Sequence, residues 1–279
     1  MDVELVEFAG PLLSWLILGA SVRAIAIQFK PRPCHSHFQR CGPPAYITAV
    51  PHSKPRFIVL DGGEGCGKST QIGLLTRRLL DHGISTLCVR DPGATPVSEA
   101  IRQILLDPAN DDMSMRCEML LYMAARAQLM AQRIAPALAS GQWVVSDRFV
   151  SSTLAYQLGG DGLTAEEIMS VARVALAGRL PDLTLILDMP VEQSQARVLP
   201  KFQIPLPIEG AAEQAHAETH HGVVKDRIEQ RPLDYHRKVR DSFLAQARRD
   251  PDHVKIVSAA NSQEAVAEDV WRVIRPLLG

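Results

Sequence analysis

Short apolar runs alternate with amphipathic stretches along the chain from residue 56 onward. The run at 57–60 predicts a buried strand, and similar runs predict further strands at 86–90, 143–147, 183–188 and 253–257. After the first run, apolar residues recur with helical spacing, which predicts a helix that buries Ile72, Leu74, Leu75, Leu79 and Leu80. Strands that alternate with helices are typical of the α/β class, in which helices flank a central parallel sheet, here of five strands.

The other helices follow from the same periodicity and from capping residues. One short helix is predicted by the apolar residues Val97, Ile101, Ile104 and Leu105. A long helix is expected over about 117–139, and others end near 198, begin near Asp226 and end at Leu278. Thr164 and Glu167 have the spacing of a capping box and predict a helix start.

Two segments depart from this alternation. Residues 1–55 are interpreted as an N-terminal extension, either disordered or translated from a start codon assigned too far upstream. Their apolar stretch at 8–27 is interrupted by polar residues and follows acidic ones, which suits neither a membrane span nor a signal peptide. Their possible zinc ligands have the spacing of no common finger: Cys34, His35, His37 and Cys41. Residues 199–225 keep no sustained period and are interpreted as an insertion within a domain of 56–279.

The loop after the first strand carries the most specific motif of the chain. Gly62 and Gly67 are spaced as in a phosphate-binding loop, and Lys68 and Ser69 follow. Its glycines allow consecutive backbone amides to face phosphate oxygens at a helix N-terminus. The motif predicts a three-layer P-loop NTPase fold that binds a nucleoside triphosphate with Mg²⁺ through Gly62, Gly63, Glu64, Gly65, Cys66, Gly67, Lys68, Ser69 and Thr70. Lys68 is expected at the β- and γ-phosphates, and Ser69 at the metal.

Further polar residues are expected at the same edge of the sheet. Asp147 and Arg148 follow the third strand, and Arg90 ends the second. A carboxylate there suits Mg²⁺ or its waters, and a guanidinium suits two anionic groups. Tyr122 and Arg126 share a helix face and could hold a flat base, although core packing and a solvated helix face are alternatives for them.

Taken together, these segments resemble the thymidylate kinase family, particularly its bacterial form, over about residues 56–278. The resemblance rests on six segments, at 57–71, 90–95, 121–126, 147–157, 179–184 and 226–229. It implies transfer of the γ-phosphoryl group of ATP to dTMP, giving dTDP and ADP for dTTP synthesis. It also implies a homodimer.

The resemblance further implies roles for individual residues. Glu64 would meet the sugar 3′-hydroxyl, and Arg90 and Arg148 would bind the acceptor phosphate. Tyr122 would stack on thymine and Arg126 would donate to its 4-carbonyl. The other contacts that the resemblance implies are Thr153 and Gln157 around the nucleotide and Tyr156 beside the sugar 2′ position.

Some positions depart from the family pattern. The phosphate-binding loop has no basic residue between Glu64 and Gly67, so the lid over ATP should supply one. No arginine stands where the pattern puts it; Lys225 is the first candidate, with Arg197, Lys201 and Arg227 as alternatives. Asp61 and Asp91 replace the usual glutamates, which puts fine adjustment of the acceptor site in question.

The composition of the chain limits its expected partners and cellular compartment. A net charge of −1 gives no general attraction to nucleic acid or anionic membranes. Five scattered cysteines favour a reducing, cytoplasmic compartment. Two alternatives to a thymidylate kinase stay open: a kinase of another nucleotide or deoxynucleoside, and a regulatory protein that binds nucleotide without transferring phosphate.

Overall fold

A computed structural model describes residues 54–158, 160–198 and 226–279. Five strands form one sheet, and all pair in parallel in the order β2-β3-β1-β4-β5. Their bounds are β1 Phe57–Asp61, β2 Thr86–Arg90, β3 Trp143–Asp147, β4 Leu183–Asp188 and β5 Val254–Ser258. The predicted parallel five-stranded sheet is confirmed.

Helices cover both faces of this sheet. Their bounds are α1 Lys68–Asp81, α2 Pro96–Leu106, α3 Met115–Leu129, α4 Ala135–Ala139, α5 Val150–Tyr156, α6 Ala165–Ala175, α7 Val191–Val198, α8 Leu233–Arg249 and α9 Gln263–Ile274. One face of β1 contributes Ile58 and Leu60 to a core shared with α1 and α9. The other face contributes Phe57 and Val59 to a core shared with α3 and α6. The architecture is therefore three-layered, with β1 and its loop at the centre.

Several helix predictions need correction. Leu74 and Leu80 lie on the outer side of α1 and are exposed, because only Ile72, Leu75 and Leu79 face the sheet. The predicted long helix at 117–139 is interrupted after α3 by a π-helical turn, Met130–Ile134, before α4. The segment at Asp226 is a turn, and α8 begins only after Pro232. The capping box of Thr164 and Glu167 is confirmed at the start of α6.

Some sequence predictions lie outside the described residues. They concern the extension at 1–55 (apart from 54 and 55), the Cys34–Cys41 quartet, the insertion at 199–225, and Lys201 and Lys225 within it. Among the helices that the structure does describe, none has both the length and the apolar character needed to cross a bilayer.

Candidate active site

The loop after β1 forms a cradle of backbone amides. Gly62, Gly65 and Gly67 have φ of 138°, 69° and 91°, a region that favours glycine. A Cβ on Gly62 would lie 2.6 Å from the Leu187 carbonyl oxygen, so a side chain there would displace β4. Gly67 is the N-cap of α1 and has no side chain to cap it, so with respect to this residue the first amides of the helix are available to an anion.

Lys68 lies within this loop. Its Nζ donates to the carbonyl oxygens of Gly62 at 3.3 Å and Gly63 at 2.8 Å, and lies 3.7 Å from Cys66 Sγ. No carboxylate among the described residues lies within ion-pair distance of it. The ammonium is held at the loop by neutral acceptors, and its charge acts on the Glu64 carboxyl without a direct ion pair.

Ser69 and Asp147 meet at the mouth of the loop. Ser69 Oγ donates to Asp147 Oδ2 over 3.3 Å. A hydroxyl and a carboxylate are hard oxygen ligands of the kind Mg²⁺ prefers, so the pair fits the predicted metal. Within the described residues no cluster of three or more His, Cys, Asp or Glu could hold an ion. A bound Mg²⁺ would therefore take its other ligands from phosphate and water.

Arg148 crosses from β3 to the loop. Its backbone has a φ of 67°. One terminal nitrogen of its guanidinium donates to Gly62 O at 3.0 Å and to Ser152 Oγ at 3.1 Å. The other terminal nitrogen forms an ion pair with Glu64. Burial alone would raise the pKa of the Glu64 carboxyl, but Arg148 and Lys68 hold that pKa below its ordinary value. Glu64 is thus kept ionised beside the phosphate-binding loop.

Two adjoining cavities contain the predicted site residues. The loop cavity is lined by Lys68, Ser69, Asp147, Arg90, Arg197 and the β5–α9 loop. The helix cavity is lined by Tyr122, Arg126, Thr153, Tyr156 and Gln157. Both cavities share lining residues, Glu64, Asp91, Arg102, Arg148, Asp226 and Glu229. Among the described residues, the predicted ATP and dTMP contacts lie at one cavity or the other, except Gly62 and Gly63, which line a third cavity together with Glu64, Cys66 and Tyr156.

Arg126 is fixed before any ligand arrives. Its side chain is 1% exposed and pairs with Asp91, whose side chain is also 1% exposed. It donates to Thr153 Oγ1 at 3.2 Å and to Phe149 O at 3.1 Å as well. Burial raises the pKa of Asp91 although Arg126 opposes that rise. The alternative of a solvated helix residue is therefore wrong for Arg126.

Asp61 was noted in the sequence only as a departure from the family pattern, and Arg102 was not singled out. Asp61 is fully buried and accepts hydrogen bonds from Ser151 Oγ at 2.6 Å and Ser152 Oγ at 2.8 Å, which ties β1 to the start of α5. Arg102 lines both cavities, donates to Pro92 O at 3.2 Å and has no ion-pair partner among the described residues. The only feature of the sequence that could have identified Arg102 is that it is a basic residue in an otherwise apolar-rich helix after Arg90.

The structure distinguishes among the candidates for the basic residue that the phosphate-binding loop lacks. Arg227 is buried and paired with Glu118, so it faces away from the loop cavity. Arg197 lines that cavity and donates to Ala259 O at 3.2 Å. Lys225 and Lys201 lie outside the described residues, and the interpretation of Lys225 stays a prediction.

Comparison with known proteins gives a consistent result. A family model for thymidylate kinase matches residues 60–270. A thymidylate kinase of Chromohalobacter salexigens is 42% identical over 77% of this chain and 92% of its own length. Those of Magnetococcus marinus and a Synechococcus species are 40% and 41% identical over 78% and 80% of the chain and 95% of their own lengths.

Proposed function

The chain belongs to the thymidylate kinase family, and we propose on that basis that it transfers the γ-phosphoryl group of ATP to dTMP, giving dTDP and ADP for dTTP biosynthesis. The wall shared by the two cavities carries the proposal. In-line transfer requires donor and acceptor phosphates to meet at one point, where charge neutralisation and positioning supply most of the rate enhancement. Glu64, Arg102 and Arg148 line both cavities and would stand at that point.

The loop cavity takes ATP. The amides at 62–67 and the start of α1 bind its phosphate oxygens, and Lys68 neutralises the β- and γ-phosphates. Mg²⁺, held on the protein side by Ser69 and Asp147, would supply positive charge at the phosphate oxygens. The β5–α9 loop, with Asn261, Ser262 and Gln263, lines the remainder of this cavity.

The helix cavity takes dTMP. Tyr122 stacks on the base, and Arg126 donates to its 4-carbonyl from the position fixed by Asp91. Thr153 and Gln157 complete the polar contacts, while Glu64 and Tyr156 surround the sugar. Arg90, Arg148 and Arg102 bind the acceptor phosphate. Arg90 is held for this by Glu99, whose two carboxylate oxygens each lie 3.1 Å from its terminal nitrogen.

A further cation is needed over the donor phosphates. We assign Arg197 and Lys225 as the two candidates. Arg197 is supported by its place at the loop cavity, and Lys225 by its place just before Asp226. An arginine that contacts the transferred group accelerates phosphoryl transfer by about 10³-fold or more in related chemistry.

The protein is proposed to act as a cytoplasmic homodimer, with 56–279 as its catalytic domain and 1–55 as an extension. Val97 and Ile104 on α2 and Leu120 on α3 are 51%, 46% and 53% exposed, which supports an interface on these neighbouring helices. The cysteines in the described residues, Cys66, Cys88 and Cys117, are free thiols.

Product analysis tests the proposed reaction. The full-length chain is incubated with ATP, Mg²⁺ and dTMP, and the nucleotides are separated by chromatography. Equal amounts of dTDP and ADP are expected. ADP without dTDP, or nucleotide binding without any product, would contradict the proposal and favour hydrolysis or a regulatory protein.

A further inference from the structure

A buried carboxylate lies directly behind the helix cavity. Glu118 on α3 is fully buried and is not among the residues that line the cavity. Its Oε1 accepts from Gln157 Nε2 at 2.7 Å, and its Oε2 accepts from Arg231 at 2.8 Å and from Arg227. Glu118 is one turn before Tyr122 and two turns before Arg126, so the helix that carries the base contacts carries this carboxylate too.

The contact with Glu118 determines which end of the Gln157 amide faces the cavity. An ionised carboxylate only accepts hydrogen bonds, so the NH₂ group of Gln157 must be the end that meets it. Gln157 is 1% exposed, and this enclosure leaves it little freedom to rotate. Its carbonyl oxygen is therefore the group available to accept a hydrogen bond from a nucleobase N–H.

Glu118 also holds the opposite wall of the cavity through its two arginines. Arg227 additionally donates to Leu105 O at 3.1 Å. The two arginines bracket Ile228 and Glu229, which line the helix cavity, and Asp226 Oδ1 accepts from the backbone amides of both at 2.9 Å. One carboxylate thus fixes a glutamine on one side and the 226–231 segment on the other.

Stability alone is a weak explanation for this arrangement. Burying a carboxylate costs free energy, and apolar residues of similar volume often replace buried ion pairs without loss of stability. Here the carboxylate faces two guanidiniums, those of the buried Arg227 and the partly buried Arg231, and both cations also lose hydration on folding. What apolar residues could not supply is the direction of the Gln157 amide.

We propose that Glu118 is a positioning residue for the acceptor nucleotide, which orients Gln157 toward the base N–H and fixes the 226–231 wall. This inference rests on the proposed function, because it takes the ligand of the helix cavity to be dTMP. Glu118 itself touches no substrate.

Glu118→Asp is the sharpest test. It keeps the charge for both arginines but withdraws the carboxylate from Gln157 by one methylene group. Loss of one oriented hydrogen bond is expected to raise both the KM and the calorimetric Kd for dTMP about tenfold. The KM for ATP should stay within about twofold, since Gln157 lines the helix cavity and not the loop cavity, and the retained charge still holds both arginines. Glu268→Gln, which removes an exposed carboxylate paired with Arg78 at 2.6 Å, is the matched control and should change neither constant.

A double-mutant cycle separates positioning from a general structural effect. In a Gln157→Ala background, Glu118→Asp should change the KM for dTMP by less than about twofold, because Gln157 is absent and the aspartate keeps the charge that holds the 226–231 wall. Full additivity of the two substitutions, an equal rise in the KM for ATP, or an unchanged dTMP Kd would overturn the proposal.

A second variant covers the case that Glu118→Asp does not fold. The double variant Glu118→Gln with Arg231→Gln removes one charge of each sign. It also places an amide beside Gln157, and because an amide can both donate and accept a hydrogen bond, the orientation of Gln157 is no longer fixed. The same selective rise in the KM and Kd for dTMP is expected. Turnover of dTMP by the unaltered protein tests the reaction separately, so failure of this inference is distinguishable from failure of the proposed function.

Discussion

Arg126 Nε lies 2.7 Å from Asp91 Oδ2, in a position closed to solvent on both partners. Asp91 therefore acts before substrate binds, by holding the guanidinium at the helix cavity. A group that is already ordered loses little conformational entropy when ligand arrives. The aspartate that replaces the usual glutamate thus retains a definite function in this chain, the orientation of Arg126.

Replacing Arg126 should impair use of dTMP and stability together. Arg126→Met is expected to raise the KM for dTMP about 100-fold, because a charged hydrogen bond to the base carbonyl is lost. It should also lower the free energy of unfolding by about 3–5 kcal/mol, because Asp91 is left buried without a partner. Steady-state kinetics and urea unfolding measure the two effects.

The double variant Arg126→Met with Asp91→Asn separates these effects. Removing the orphaned charge should restore most of the stability while the KM for dTMP stays high. Recovery of dTMP use along with stability would show that Arg126 has only a structural function.

Lys68 should be essential for transfer and dispensable for folding. Its ammonium contacts loop carbonyls and the Cys66 thiol, so Lys68→Ala removes no ion pair in the described residues. We expect kcat to fall by at least about 10³-fold, since charge neutralisation at the phosphates dominates this chemistry. The thermal midpoint should change little. A variant with full activity would refute the assignment of the loop.

Arg197 should affect the transfer step more than acceptor binding. If it contacts the donor phosphates, Arg197→Ala lowers kcat by about 10²- to 10³-fold and leaves the KM for dTMP nearly unchanged. The kcat and the KM for dTMP of Lys225→Ala are measured in the same assay. Arg237→Ala serves as the control, because Arg237 is half exposed and its ion-pair partners within the described residues are Glu192 and Asp234. A loss of kcat in Lys225→Ala alone would transfer the function to Lys225.

Stability should depend on Glu64 at acidic pH. The pKa of Glu64 in the folded protein lies below its ordinary value of 4.5. A carboxyl whose folded pKa is lowered stabilises the fold above the unfolded pKa and loses that contribution as pH falls through the folded pKa. The thermal midpoint of the unaltered protein should therefore exceed that of Glu64→Gln at pH 7, and the gap should close below about pH 4.5. A gap of the same size at pH 3.5, or a similar trend in Glu166→Gln, an exposed control, would contradict this.

The fold was largely predictable because its signals are local. Buried parallel strands are continuous apolar runs, and the phosphate-binding loop links strand to helix within a few residues. The errors also have local causes. Leu74 and Leu80 fit a helical period as well as Leu75 and Leu79 do, and only tertiary packing decides which leucines meet the sheet. Nothing in the sequence marks the π-helical turn at Met130–Ile134.

The site was predictable where a residue follows a strand or a motif. Asp147, Arg148 and Arg90 reach the same edge because parallel strands end there. Contacts between distant segments were not predictable in this way. Glu118 is 109 residues from Arg227 and 39 from Gln157, and a single glutamate on a helix gives no sign of either partner.

Comparison of separate acceptors tests most directly the central claim, which is that the protein phosphorylates dTMP. A coupled assay of ADP formation from ATP and Mg²⁺ gives kcat/KM for dTMP, dUMP, UMP and thymidine as separate acceptors. The account predicts the highest kcat/KM for dTMP. UMP should be a poorer acceptor because Tyr156 lies beside its 2′-hydroxyl, and thymidine should be poorer because it lacks the phosphate that Arg90, Arg102 and Arg148 are proposed to bind. A higher value for another acceptor, or no turnover of any acceptor despite bound ATP, would contradict it.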